Sequence, residues 1–386
     1  MTWETVRLGA IAQVVGGATP KTSEPAYWDG DIPWVTPAEI SRLSGHYIES
    51  TERTISSDGL SRSGVQILPT GSVLLSSRAP IGLVAINRIP VGTNQGFKSL
   101  IPSDRIESNF LFWWLKSHTK LLQSKGRGAT FLELSKAEVE RIEIPLPPLP
   151  EQRRIAAILD EADALRAQLE SARQRSRLLT DSLFNHIVEG AADFVPLGQV
   201  VTLITGPFGS SVHREDYVVG GVPLINPSHI VDGYIRSDVS VTVSGAKAEQ
   251  LSAFSLQPGD VVLGRRGEMG RAAVVRPNDA PALCGTGTMV LRSPLTSQSG
   301  GLLARLLRTP RYVSELTAAA SGVTMLNLSQ SAVGGLLIPR PTAQLEAEVG
   351  VLDESTSAFI RDLDRRLHEA NALFDSLQHR AFRGEL

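Results

Sequence analysis

The sequence predicts a mixed α/β (α+β) protein: two pseudo-two-fold-related globules separated by two long antiparallel helices that form a coiled coil. Three observations predict it. The chain is written twice. Each copy opens with short β-branched runs broken by turn residues. Each copy closes with a proline strip that feeds a long segment of helical spacing.

The repeat has a period of about half the 386-residue chain. "VRLGAIAQVVGG" at Val6 answers "VPLGQVVTLITG" at Val195, and "IPWVTPAEI" at Ile32 answers "VPLINPSHI" at Val222. "LPTGSVLLSSRAPIGLVAI" at Leu68 answers "LQPGDVVLGRRGEMGRAAV" at Leu256, and "TNQGF" at Thr93 sits where "CGTGT" begins at Cys284. "GATFLELSKAEVERIEIPLP" at Gly128 answers "GVTMLNLSQSAVGGLLIPRP" at Gly322, and "DSLFNHIVEG" at Asp181 answers "DSLQHRAFRG" at Asp375. Order and spacing are kept while the intervening loops diverge. Duplication of a stable scaffold would account for this, and so would two recognition units that read different things. The boundaries follow as 1–149 and 191–341 for the globules, with helices over 150–190 and 342–386. The connecting stretch "GAADFVPLG" corresponds to the chain's two ends, "RGEL" and "MTWETVRLG", which predicts that those ends lie near each other.

Within each globule, "GSVLLSS", "IGLVAI", "GDVVLG", "RAAVVR" and "TMVLRS" read as strands. "NFLFWWLKSHTKLLQSK" reads as a helix, as does "GGLLARLLRTPRYVSELTAAA" with an interruption at Pro310. Trp28 and Trp34 are expected in the core rather than stacked on bases. Between globule and helix, "PLPPLP" is held extended, because a residue before proline is pushed out of the helical region. Pro150 suits a first-turn position, where its missing N–H costs little. The strip is an elbow. A ligand for a proline-binding domain is the alternative, but the same elbow recurs in the other half.

From Glu151 to Glu189 there is no proline or glycine. Ile155, Ile158, Ala162, Leu165, Leu169, Ala172, Ser176, Leu179 and Leu183 fall at alternating steps of three and four, a heptad seam. In the second copy the seam is Val349, Leu352, Phe359, Leu363, Leu373 and Leu377, weakened by Thr356 and Arg366, with Leu367 and Phe374 able to widen it. Each helix would span roughly 55–60 Å. The cheapest partner for each stripe is the other copy, and the two would then run antiparallel. The alternative is that each helix packs on its own globule.

Composition bounds the function. With 42% hydrophobic and 20% charged residues the chain is that of a soluble globular protein. A net charge of −2 excludes coating nucleic acid by bulk charge and leaves a local basic face, or a partner that supplies charge. One cysteine, Cys284, suits a reducing cytosol. No basic segment followed by an apolar run opens the chain, and no run reaches membrane-helix length, so a cytoplasmic protein without membrane association is expected. Catalytic constellations are missing. There is no phosphate loop, no HExxH, no cysteine pair for zinc, and no G-x-S-x-G elbow. No lysine has an acid two residues before it. "INPSHI" lacks the second proline and aromatic of the amino-methyltransferase motif, and "CGTGT" is too short for a nucleotide loop. No metal site and no catalytic residue is assigned.

The pattern G-x-T-x-x-x-L-S, then I-P-L-P-P-L-x-E-Q and a long helix, over Gly128 to Gln152, resembles the specificity subunits of type I restriction-modification enzymes. "GGATPKTSEPAYWDGDIPWVTPAEI" and "ITGPFGSSVHREDY" are also similar to stretches of that family's target-recognition domains, and the likeness covers essentially the whole chain. "PRPTAQLE" in the second strip departs from "PLPPLPEQ", which makes the second elbow the less regular of the two. The resemblance implies a non-catalytic subunit in which each globule reads half of a split double-stranded DNA target and the helices fix the gap. It also implies partners: two methyltransferase subunits on the helices, and restriction/translocase subunits. S-adenosylmethionine, ATP and Mg would reside on those partners, with no cofactor on this chain.

Readout needs donors and acceptors on loops, and phosphate contacts need Arg, Lys or backbone N–H. The candidates in the first globule are Ser77, Arg78, Asn94, Gln95, Lys98, Lys125, Arg127 and Thr130. Those in the second are Arg265, Arg266, Arg271, Thr286, Thr288, Ser321 and Thr324. Arg78 and Arg266 both stand four residues before a glycine, Gly82 and Gly270. For any one of these the alternative is a solvated loop charge or a turn-capping hydroxyl. For the chain as a whole the alternatives are a coiled-coil scaffold without DNA readout and a stand-alone DNA-modifying enzyme.

Overall fold

A computed structural model describes residues 3–128, 132–207, 211–293, 297–322 and 326–386. It divides into two compact units, 1–171 with 365–386, and 172–364. Each unit therefore holds one globule and a length of both long helices.

The first globule carries a five-stranded sheet in the order Ala12–Gly16, Lys98–Pro102, Val73–Ser77, Ile81–Asn87, Tyr47–Ile48. A three-stranded sheet joins Arg53–Ile55, Trp28–Val35 and Gly92–Thr93. In the second globule a four-stranded sheet repeats the same order: Thr202–Thr205, Thr288–Arg292, Val261–Gly264, Ala272–Val274. The mixed α/β class read from the sequence is the one observed. Val73, Leu74, Leu75 and Val261, Val262, Leu263 are all fully buried, since these central strands are covered on both faces. Trp34 is buried edge-on to Trp28 at 5.1 Å, as expected of core residues.

The helices differ in detail from the sequence reading. "NFLFWWLKSHTKLLQSK" forms two helices, Ser108–Ser117 and Thr119–Lys125. The break is His118, whose Nδ1 lies 2.8 Å from the Trp114 carbonyl oxygen and 2.7 Å from the Ser117 hydroxyl. In the second globule the break falls as expected before Pro310, between Ser297–Leu306 and Pro310–Ala319.

Each proline strip is a strand followed at once by a helix. Glu143–Leu146 pairs antiparallel with Glu4–Arg7, and Leu337–Pro339 pairs with Phe194–Pro196. The long helices run Leu149–Glu189 and Ala343–Ala381. Gln152 locks the first elbow. It is fully buried, its amide donates to the carbonyls of Pro147 (2.8 Å) and Arg105 (3.0 Å), and its oxygen accepts from the Glu107 N–H at 2.8 Å. At the matching place the second elbow has buried Glu346, bonded to the Ser299 hydroxyl. Thr342 Oγ1 caps the helix there by accepting from the Leu345 N–H at 3.2 Å. The second strip thus makes the same turn with different chemistry.

Inside each unit the two helix lengths lie side by side and antiparallel. In the first, Arg154 bonds the Leu386 carbonyl oxygen (3.1 Å), while twelve residues on Arg166 reaches back to Asn371 (2.8 Å) and lies 4.3 Å over Phe374. Trp3 and Leu386 pack against the same core. In the second, Arg173 pairs with Asp364 at 3.3 Å. Arg305 then clamps both helices to the second globule. It bonds the Thr180 carbonyl oxygen at 2.9 Å, pairs with Asp353 and with Asp181, and stacks 4.3 Å over Phe184.

The heptad reading needs a correction. Ile155, Ala162, Val349, Leu352, Leu363 and Leu377 are buried or half-buried, and Ile158 and Leu169 are half-buried, but Leu165, Leu179, Leu183, Phe359 and Leu373 are exposed, Leu179 by 60% and Phe359 by 54%. The inward stripe is Ile155, Leu159, Ala162, Arg166, Leu169, Arg173, Ser176, Thr180 and Phe184. Ile158, Leu165, Ala172, Leu179 and Leu183 are thus each displaced from the stripe by the residue that follows, about 100° around the helix. Arginine can fill such a place because its aliphatic stem packs while its guanidinium finds partners. On two antiparallel helices, residues one step back from the contact line point to the same side. Leu179 and Leu183 thus share an open apolar face with Phe359.

Two histidines give the first unit a pH signature. Burial lowers His46, which stacks on Phe112 at 4.6 Å; Asp160, 3.5 Å away, pulls the other way, Lys116 adds to the lowering, Asp163 opposes it and Arg88 adds to it. Burial also lowers His118, against its bond to the Trp114 carbonyl. Below the ordinary value of 6.5 the unfolded chain takes up protons that the folded unit refuses, so stability should fall as pH drops through that value. All five tryptophans lie in residues 3–114, so tryptophan fluorescence reads this unit selectively. The urea midpoint by that signal is expected to be lower at pH 5.5 than at pH 7.5.

Candidate nucleic-acid interface

One backbone frame is built twice, at the edge of each main sheet. The Gly17 N–H donates to the Phe97 carbonyl at 3.1 Å, and that of Gly206 to Thr288 at 3.1 Å. Asn94 donates to Val35 (3.1 Å) and Gly285 to Ile225 (2.9 Å). Ser77 donates to Gly96 (2.7 Å) and Arg265 to Gly287 (2.9 Å). Leu134 donates to Ser77 (2.8 Å) and Leu328 to Arg265 (2.9 Å). Two further bonds close each frame, between Arg127 and Glu133 (3.0 and 2.9 Å) and between Ser321 and Asn327 (3.1 and 2.9 Å). Glycine is needed at the first point, because a Cβ on Gly17 or Gly206 would collide with the carbonyl oxygen of Asn94 or Gly285. Gly128 and Gly322, at φ 139° and 132°, turn the chain out of the last corner in both copies.

The frame gathers most of the residues singled out in the sequence. Arg78, Asn94, Gln95, Lys98 and Arg127 meet in the first globule, with exposed Lys125 two residues before the corner. Asn94 Oδ1 accepts from the Gly96 N–H at 2.8 Å, and Gln95 bonds the Thr19 hydroxyl. In the second globule the frame gathers Arg265, Arg266, Thr286 and Ser321. Thr130 and Thr324 lie outside the described residues.

Two candidates are not surface contacts, and a third is engaged within its own globule. Ser77 is fully buried and its hydroxyl donates to the Gly96 carbonyl at 3.0 Å. Thr288 is fully buried and its hydroxyl donates to the Ile225 (2.8 Å) and Gly285 (3.0 Å) carbonyls. Both hold the loop from within, since each sits at a central strand's end with its side chain inward. Arg271 is half-buried and already engaged, by Glu268 (2.9 Å) and by the carbonyls of Pro227 (3.4 Å) and Ile230 (3.3 Å). Cys284 is likewise internal, and burial pushes its thiol up to about 11.

Electrostatically the copies part. In the first frame Glu133 sits 3.1 Å from Lys98 Nζ and 3.8 Å from Arg78, and Arg127 lies 3.2 Å from Glu138. The corresponding second-frame residues are Asn327 for Glu133, Met289 for Lys98 and Ala332 for Glu138. There Arg265, lowered by burial and then by neighbouring Arg266, keeps its Nε without a hydrogen-bond partner among the described residues, as does Asn327 Oδ1. Glu133 and Asn327 are not among the cations, amides and hydroxyls singled out in the sequence, although the repeat sets them opposite each other. Among the described residues no group of His, Cys, Asp and Glu could hold a metal ion, and no helix is long and apolar enough to cross a membrane.

Residues 1–178 match the family described as the type I restriction modification DNA specificity domain. The chain is thus similar to the type I restriction-modification specificity subunits. The specificity subunit of the type I restriction enzyme MjaIX of Methanocaldococcus jannaschii is 36% identical over 258 residues, covering 60% of this chain and 59% of that protein's length. A crystal structure of a type I S subunit from M. genitalium aligns at TM-score 0.59 and 14% identity, over 99% of this chain and 96% of the other. A structure described as a basis for complex assembly and conformational transition of the type I R-M system aligns at TM-score 0.64 and 21% identity, over 100% and 98%. At these identities the structures establish the fold, which is shared along the length of the chain.

Proposed function

We propose that this chain is the non-catalytic DNA-reading subunit of a type I system, taking a bipartite, asymmetric double-stranded target with one half-site per globule. The observation that carries this is the repeated frame. Two identical backbone scaffolds present different side chains, as two readers of unlike half-sites require. The backbone bonds make each scaffold rigid, so its loops carry little ordering cost on binding. Arg78, Arg127 and Arg266 serve phosphates, while the residues between them face base edges. The modest net charge fits a subunit whose partners also grip the duplex.

The helices set the gap between half-sites and carry two methyltransferase subunits. Their open apolar face at Leu179, Leu183 and Phe359 is the surface assigned to those partners. Restriction/translocase subunits join that complex, and S-adenosylmethionine, ATP and Mg are held by the partners. Incubation of DNA with labelled S-adenosylmethionine tests the division of labour. The purified chain alone should transfer no methyl group, and addition of its methyltransferase subunit should give adenine methylation at one split sequence. Methylation by the chain alone would identify a stand-alone enzyme. Failure of the assembled complex to bind DNA would identify a protein scaffold.

A further inference from the structure

Glu133 is an anion on a surface assigned to a polyanion, and that placement needs a cause. Its backbone is fixed by the two bonds to Arg127, and the next residue is tied to the Ser77 carbonyl, so the side chain leaves from a rigid point. The side chain is 41% exposed, with Lys98 and Arg78 against its carboxylate. Those cations lower the cost of bringing a carboxylate to DNA without covering it. A carboxylate accepts hydrogen bonds and donates none. In the major groove adenine N6 and cytosine N4 are both amino donors, but adenine sets its donor beside the N7 acceptor, which repels a carboxylate, so cytosine is the better partner. The second globule carries Asn327 at the same point of the same frame, and an amide both donates and accepts.

Building on the DNA-reading function proposed above, we infer that Glu133 is a specificity-determining residue that reads one cytosine of the first half-site through its N4 amino group. Asn327 occupies the equivalent place with its Oδ1 buried, so the second globule presents no carboxylate there and selects differently. Neutralising Lys98 and Arg78 is the secondary role of the carboxylate.

The test uses the assembled complex of full-length chain and methyltransferase, with DNA randomised across the target and methylated products sequenced. Wild type should prefer cytosine at one position of the first half-site. Glu133→Gln should reduce that preference about 10-fold or more, the scale of one lost bidentate or charged base contact, with every other position unchanged. Glu133→Asp, which keeps the charge one methylene back, should retain cytosine with weaker discrimination. A Gln variant that keeps every base preference within about twofold while binding all DNA more tightly overturns the inference, because the carboxylate is then only a counter-ion. If wild type methylates no split target at all, the DNA-reading function itself fails, a distinct outcome.

Discussion

Replacing Trp113 with alanine is expected to destabilise the first unit by about 3–5 kcal/mol, the cost of deleting a large buried aromatic. The Trp113 side chain ties the globule to both long helices. Trp113 is fully buried on the helix Ser108–Ser117. Its indole N–H donates to Asp160 of the first long helix at 2.8 Å, and its ring meets Phe374 of the second at 5.5 Å. Phe112, at 4.9 Å, and Lys116, whose Nζ lies 4.8 Å from the ring, close the sides. The cavity would open where globule and both helices meet, so little could collapse into it. Trp113→Phe keeps most of the ring and loses the bond to Asp160, which predicts a smaller loss of about 1.5–3 kcal/mol for a hydrogen bond to a charged acceptor. Denaturation followed by the four remaining tryptophans measures both. A loss below about 1 kcal/mol for the alanine variant would mean that the globule does not rest on the helices.

Much of this architecture was legible because duplication makes a sequence its own control. Gly17 and Gly206, Gly82 and Gly270, and Gly128 and Gly322 recur because the same close approaches and positive φ angles recur. The proline strips were readable from the restriction proline places on its neighbours. The rotation of the long helices was not. Leucines at 165, 179 and 183 offer an apolar stripe one residue away from the true contact line, which holds Arg166, Arg173 and Thr180. Periodicity cannot separate two stripes about 100° apart when one is meant for a neighbour in the chain and the other stays open.

The reading surface was legible to a similar depth. The loops were found, because turn residues and hydroxyls mark them. Which side of the strand end a hydroxyl occupies was not, so Ser77 and Thr288 passed as contacts while serving as internal struts. Glu133 was overlooked for the opposite reason. A carboxylate repels phosphate, so a reading led by cations, amides and hydroxyls passes over it.

The exchange of a whole reader carries the largest functional effect. Residues 1–149 contain the first frame, the five-stranded sheet and Trp113, and end where Gln152 fastens the elbow. The first core also reaches Phe374, Leu377 and Ala381 on the second helix, so the donor segment must keep aromatic residues able to pack there. Given that match, replacing 1–149 with the corresponding segment of a relative that reads another sequence leaves the second frame untouched. The complex with its methyltransferase should then methylate a target in which one half-site is wholly new, while the other half-site and the gap are those of the parent. Sequencing methylated adenines in DNA exposed to the parent and exchanged complexes is the most direct measurement. One altered half-site is the predicted result. Change in both halves, or in neither, would contradict the account of two independent readers on a helical spacer.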